Sequence, residues 1–141
     1  MTISVIYNSR GNETDILAET IARRCETEAI DISRRHTLPE TDLLFVGMST
    51  YKGKPDEAIL DYLDQLPVNR IRNAAIFSTH VKGVDKTELA VSLLEHKGIS
   101  VFPEHYVCEQ GRFFSKQPDV DDIGRLLEFT ARVLDTYGAE Q

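Results

Sequence analysis

The stretch that most constrains this chain is Leu43 to Met48, read as Leu-Leu-Phe-Val-Gly-Met. It is apolar on both faces of a strand. A strand of that kind must be covered from both sides, which is the situation of a central parallel strand between two helical layers. The flanking segments supply such layers. Ile3 to Tyr7 and Ala74 to Ser78 are further apolar, strand-like runs. Glu28 to Ile32 is a shorter one, and Ile99 to Phe102 with Tyr106 to Cys108 makes a last strand bent near Pro103.

Helical spacing fills the intervals between them. Leu17, Ala18, Ile21, Ala22 and Cys25 recur on one face. Ile59, Tyr62, Leu63 and Leu66 do so between about Asp56 and Leu66, with Pro55 and Asp56 suited to the first turn. Leu89, Leu93 and Leu94 mark a helix from about Lys86 to Lys97, closed by Gly98. Ile123, Leu126, Leu127, Thr130, Val133, Leu134 and Tyr137 mark the last, from Val120 to Tyr137. Strand and helix therefore alternate, as in repeated βαβ units. The expectation is one α/β domain over residues 1–141: a doubly wound, five-stranded parallel sheet of order 2-1-3-4-5 with helices on both faces. A helix after each strand is expected, the one after the second strand being poorly marked.

The chain has 141 residues and a net charge of −7, which suits one domain with a core of its own. The acidity argues against nucleic acid or an anionic membrane as partner and is compatible with a basic protein surface. No apolar run is long enough to cross a bilayer, so no membrane insertion is expected. Two distant cysteines, Cys25 and Cys108, without CxxC or zinc-type spacing, indicate reduced structural thiols and a cytoplasmic location.

Three loops follow the inner strands and meet at the switch point of such a sheet. The first runs from Asn8 to Glu13 and opens a helix near Thr14, so free backbone N–H groups and a positive helix end face one spot. Without Gly-Lys-Ser/Thr or three spaced glycines it is neither a P-loop nor a dinucleotide fingerprint. A purely structural reading is equally simple: Asn12 or Thr14 caps the helix and Gly11 makes the turn. The second loop is Ser49 to Lys54, and the third Thr79 to Gly83. Tyr51 and His80 each admit a ligand-facing role or a plain surface role.

Ser9-Arg10-Gly11-Asn12-Glu13-Thr14 resembles the phosphate loop of flavodoxins, Ser/Thr-x-Thr-Gly-Asn-Thr. The outer hydroxyls match, Gly-Asn sits one position early, and the middle Thr is replaced. Gly47 to Pro55, with Tyr51 and Gly53, is similar to the second flavin-facing loop of short-chain flavodoxins, and Phe77-Ser78-Thr79 to the end of their fourth strand. The resemblance spans nearly the whole chain. It implies FMN as cofactor, with Ser9, Arg10, Gly11, Asn12, Glu13 and Thr14 around the phosphate. Ser49, Thr50, Tyr51, Lys52 and Gly53 would adjoin the ring, with Thr79, His80, Val81 and Gly83 on its other side and Phe113 closing the crevice. No residue is expected to be catalytic, and no metal site is expected.

The implied function is electron transfer between redox proteins with basic docking surfaces, by a monomer or weak dimer. Two alternatives stand beside it. Glu13, the shifted Gly-Asn and the third loop, which lacks an aromatic and acidic residues, suit an accessory subunit or regulator of a reductase without tightly bound FMN. A flavin-dependent reductase of a small substrate, such as a quinone or tetrapyrrole, is the other, although no paired acid and base stand out.

Overall fold

The computed structural model describes residues 1–8, 14–34, 37–67, 69–81, 85–109 and 118–138, and of Tyr51 and Val81 the backbone alone. The elements run β1 (Ile3–Tyr7), α1 (Thr14–Arg24), β2 (Ala29–Asp31), β3 (Thr41–Tyr51), β4 (Lys54–Pro55), α2 (Glu57–Gln65), β5 (Ile71–Val81), α3 (Thr87–His96), β6 (Ser100–Val101), β7 (Tyr106–Glu109) and α4 (Val120–Gly138). The main path across the sheet is β2-β1-β3-β5-β6, with β4 paired to β3 and β7 to β5. All pairs are parallel except β3 with β4.

The expected doubly wound α/β architecture with a parallel sheet is present, but among the described residues the sheet has seven strands rather than five. Two local events account for the difference. First, the outer strand is broken. Ala74 of β5 lies beside Val101 and Phe77 beside Tyr106, so β5 advances three residues while the edge advances five. The two surplus residues bulge out around Pro103, which cannot donate to a ladder. Second, β3 turns back on itself through Lys52 and Gly53, whose φ values are 52° and 77°. Two left-handed residues in succession make the tight hairpin that pairs Tyr51 with Lys54.

The connection from β2 to β3 also departs from expectation. A turn follows β2, and no helix lies there among the described residues. Among the described residues of that connection beyond Ile32, Leu38 alone is buried, so they present no apolar stripe for a helix to bury. A hollow of about 330 Å³ lies beside it, lined by Ile32 and Ser33 on one side and Ala58, Asp61 and Gln65 of α2 on the other.

Side-chain alternation along the strands creates two cores. Val5, Leu43, Phe45, Ala75 and Phe77 face α1 and α4, meeting Leu17, Ile21, Leu126, Phe129 and Val133. Ile6, Leu44, Val46, Met48 and Ile76 face α2 and α3, meeting Ile59, Leu63, Ala90 and Leu94. Leu89 and Leu127, expected in the apolar stripes, are instead exposed. The α3 stripe is carried by Ala90, Val91 and Leu94.

The helix ends show how the local chemistry stops each element. At α3, Gly98 has φ 83°, Gly98 N–H bonds Glu95 O at 2.9 Å and Ile99 N–H bonds Leu94 O at 3.1 Å, a Schellman closure. The same closure ends α1, with Glu26 N–H on Arg23 O at 3.2 Å and Thr27 N–H on Ala22 O at 2.9 Å. There the left-handed residue is Glu26, φ 55°. A side chain with a Cβ is strained in that region. Glu26→Gly is therefore expected to raise the unfolding free energy by about 1 kcal/mol, read as a higher urea midpoint at unchanged slope. At α4, Asp119 and Asp122 cap each other's backbone N–H groups at 2.9 and 3.0 Å.

Candidate functional site

The carboxyl ends of β1, β3 and β5 lie side by side at the point where the strand order reverses, between β1 and β3. Asn8 follows β1 directly and is buried. Thr14, also buried, begins α1. The helix therefore starts just after the first loop, with its positive N-terminal end at that rim. Ser9, Arg10, Gly11, Asn12 and Glu13 lie outside the described residues, as do Gly83 and Phe113.

Register sets the polar rows at this rim. Ser49 of β3 lies beside Thr79 of β5, and Thr79 beside Cys108 of β7. All three are buried. Thr79 Oγ1 has no hydrogen-bond partner among the described residues. An unpaired buried hydroxyl costs about 1–3 kcal/mol, so this one marks a position where an incoming polar group is rewarded. Thr50, on the opposite face, is bound inside the fold. Its Oγ1 accepts Lys86 N–H at 3.1 Å and donates to Asp85 Oδ1 at 3.3 Å. Tyr51 and Val81 are neighbours in backbone register at the ends of β3 and β5. Lys52 is exposed at the hairpin tip beside Gly53.

His80 lies between Thr50 and Glu109 in register. Its Nδ1 stands 3.9 Å from Glu109 Oε1, and the imidazole is largely buried. Cys108 is not a nucleophile of this rim. Burial, reinforced by Asp122, pushes its thiol up to about 11, so it is neutral at physiological pH. Cys25 is half-buried, and burial raises its thiol as well.

One residue at this rim, Asp56, shows in the sequence only as a first-turn acid. Asp56 caps α2, with Oδ1 accepting Ile59 N–H at 3.4 Å. The same oxygen accepts Asn8 Nδ2 at 3.1 Å, and Asp56 N–H donates to Ser49 O at 3.0 Å. Asp56 thus ties the head of α2 to Asn8 through its carboxylate and to the end of β3 through its backbone N–H. Burial lifts its carboxyl above the usual aspartate value, outweighing the bonds from Asn8, Ile59 and Ala58 that favour the ionised form. A raised folded-state value means that the native chain holds this proton over a pH range where the unfolded chain has released it. The stabilisation is complete below the unfolded value and is lost as pH rises through the folded one. Asp56→Asn is expected to flatten that part of the profile, so that its melting temperature gains on wild type from mildly acidic to neutral pH. Thermal melts across that range check this.

Among the described residues, no group of three or more His, Cys, Asp or Glu is placed to hold a metal ion. No described helix is long and apolar enough to cross a membrane.

No family model matches the chain, and no curated protein matches it by sequence. Solved structures match over nearly its full length. Oxidised flavodoxin 1 from Bacillus cereus shares 22% identity, with 96% of this chain and 98% of that one covered and a TM-score of 0.70. A flavodoxin from the domain Archaea has a TM-score of 0.78 at 17% identity, covering 98% and 99%. Rubredoxin oxygen:oxidoreductase from Desulfovibrio gigas has a TM-score of 0.75 at 14% identity, with 97% of this chain matched to 36% of that one. At these identities the likeness establishes a flavodoxin-like fold.

Proposed function

We propose, from the flavodoxin-like fold as premise, that this chain binds FMN at the carboxyl ends of β1, β3 and β5 and carries electrons between redox proteins. The observation that carries the reading is the buried, unpaired Thr79 hydroxyl beside Ser49, on the rim opened by the N-terminus of α1. Hydroxyl donors and a positive helix end suit a polyol phosphate.

In this reading Ser9 to Thr14 hold the phosphate, with Arg10 offsetting Glu13. The β3–β4 hairpin, Tyr51 to Gly53, holds one side of the ring. Thr79, His80, Val81 and Gly83 hold the other, with Phe113 over the crevice. FMN, when bound, supplies electron transfer in one- and two-electron steps. The chain's own part is to bind and orient the ring, to keep water from one side of it, and to set its potential. The net charge of −7 opposes added negative charge at the site and so lowers that potential. The same charge suits docking to basic partner surfaces.

The test is a titration of the purified apo-protein with FMN, followed by absorbance and flavin fluorescence. Quenching with a dissociation constant below about 1 μM and a perturbed flavin band supports the proposal. Absence of binding at tens of micromolar removes FMN and the carrier role, and favours an accessory protein that acts through partners.

A further inference from the structure

We propose that α4 carries a second apolar face outside the core, and that this face docks a basic amphipathic helix of a partner protein. The inference does not depend on the FMN reading, since no residue of the proposed cofactor site takes part in it. It begins with spacing along α4. Val120, Gly124, Leu127, Ala131, Leu134 and Gly138 follow one another at intervals of four, three, four, three and four. That is the alternation of a and d positions in a heptad, the seam by which one helix packs along another. The seam is not the face that builds the core. Leu126, Phe129, Thr130, Val133 and Tyr137 do that, and all five are buried.

The seam runs beside the core face and turns towards solvent. Val120 is 86% exposed and Leu127 37%, two of the four large apolar side chains that are exposed among the described residues. Leu134 is half-buried against the core. Gly124 is exposed, and a Cβ there would meet nothing within 4 Å. Glycine is a poor residue inside a helix. Packing within the chain does not call for Gly124, whereas bare backbone at that position lets a neighbouring helix come close.

The charges beside the seam name its complement. Asp121, Glu128 and Asp135 repeat every seven residues along its exposed flank. None of the three is in an ion pair with a described residue. The arginines of α4 are committed elsewhere. Arg125 bonds Asp122 and lies over the Tyr106 ring at 5.8 Å, and Arg132 reaches Glu104 at 3.1 Å. An apolar seam with an acidic border fits a helix whose own apolar stripe is bordered by Lys or Arg. A second copy packed antiparallel through the same seam would set two acidic rows against each other, so the complement is a different protein. With 19 residues α4 is about 28 Å long, which suits a short contact of the transient kind.

The probes are two labelled peptides of about three heptads, with Leu at a and d. One has Lys at e and g, the other Glu. Fluorescence anisotropy is followed as purified protein is added. The Lys peptide is expected to bind with a dissociation constant on the order of 10 μM, and the Glu peptide at least tenfold more weakly. Leu127→Gln weakens the Lys peptide about tenfold. Asp121→Lys/Glu128→Lys/Asp135→Lys reverses the choice, so that the Glu peptide binds. Glu57→Lys/Asp61→Lys/Asp64→Lys makes the same change in net charge on α2 and leaves the Lys peptide within about twofold of wild type.

Equal losses in the α2 and α4 triple variants reduce the effect to bulk charge and overturn the docking face. So does a Lys peptide that ignores wild type, or one that binds Leu127→Gln as well as wild type. A wild-type dimer in sedimentation equilibrium that Leu127→Gln dissolves assigns the seam to a second copy and overturns the basic partner. Melting temperatures accompany every variant, and Val120→Gln repeats the Leu127 test at the most exposed seam position should Leu127→Gln fail to fold.

Discussion

Phe129→Ala is expected to lower the unfolding free energy by about 3–5 kcal/mol, the range for emptying a buried phenylalanine site. Phe129 comes from α4 and is 1% exposed. Its ring meets the edge of Phe102 at 5.9 Å and 79°, and lies tilted against Tyr106 at 6.0 Å. Those two rings stand on either side of the break between β6 and β7. Phe129 therefore joins the two halves of an interrupted strand to one helix, where backbone pairing alone is discontinuous. Small domains are stable by about 5–15 kcal/mol, so the variant is left marginal. Urea denaturation by circular dichroism measures the loss, and Phe129→Leu, which refills most of the volume, should recover more than half of it. A loss below about 1 kcal/mol, the scale of an exposed-site change, would mean that the ring does not bind the helix to the edge.

Gly47→Ala is the second large effect, about 2–3 kcal/mol, at the upper end of what overpacking a tight core costs. Gly47 lies beside Phe77 in register, in the middle of the sheet. A Cβ there would stand 2.6 and 2.7 Å from two ring atoms of Phe77 and 3.1 Å from Ile6 O. The ring is fully buried and cannot swing to solvent, and the carbonyl belongs to the β1 backbone. The side chain of β5 thus occupies the space that a β3 side chain would take. The check is a double-mutant cycle: Gly47→Ala should cost clearly less in a Phe77→Leu background than in wild type. Equal costs in both backgrounds would place the strain elsewhere.

Much of the architecture was legible because burial imposes a period. Leu43 to Met48 could be nothing but a covered strand, and the stripe on α4 is long enough to announce itself. The break near Pro103 was also legible, since proline cannot complete a ladder. The β3–β4 return was not. It is two residues long, and Lys52-Gly53 reads equally well as open loop. The helix expected after β2 had no stripe, and the turn found there agrees with that lack. For the site, its place at the switch point follows from the alternation of elements. The links through Asp56 and Asp85 do not, because a single polar residue has no period. Asp56 looks like any first-turn acid until the fold brings Asn8 beside it. Thr50 illustrates the converse: its type suits a ligand, but Asp85 and Lys86 engage its hydroxyl.

The interrupted outer strand has a consequence for how this protein behaves in concentrated solution. A long, straight outer strand presents a row of unpaired amides onto which another chain can add, and sheets joined in this way grow into aggregates. Here the two surplus residues around Pro103 break that row into pieces of two and four residues. At the other margin β2 is three residues long and carries Asp31, which pairs with Arg34 at 3.7 Å. Neither margin offers a template of useful length, so the parallel sheet stays finite although nothing closes it into a barrel.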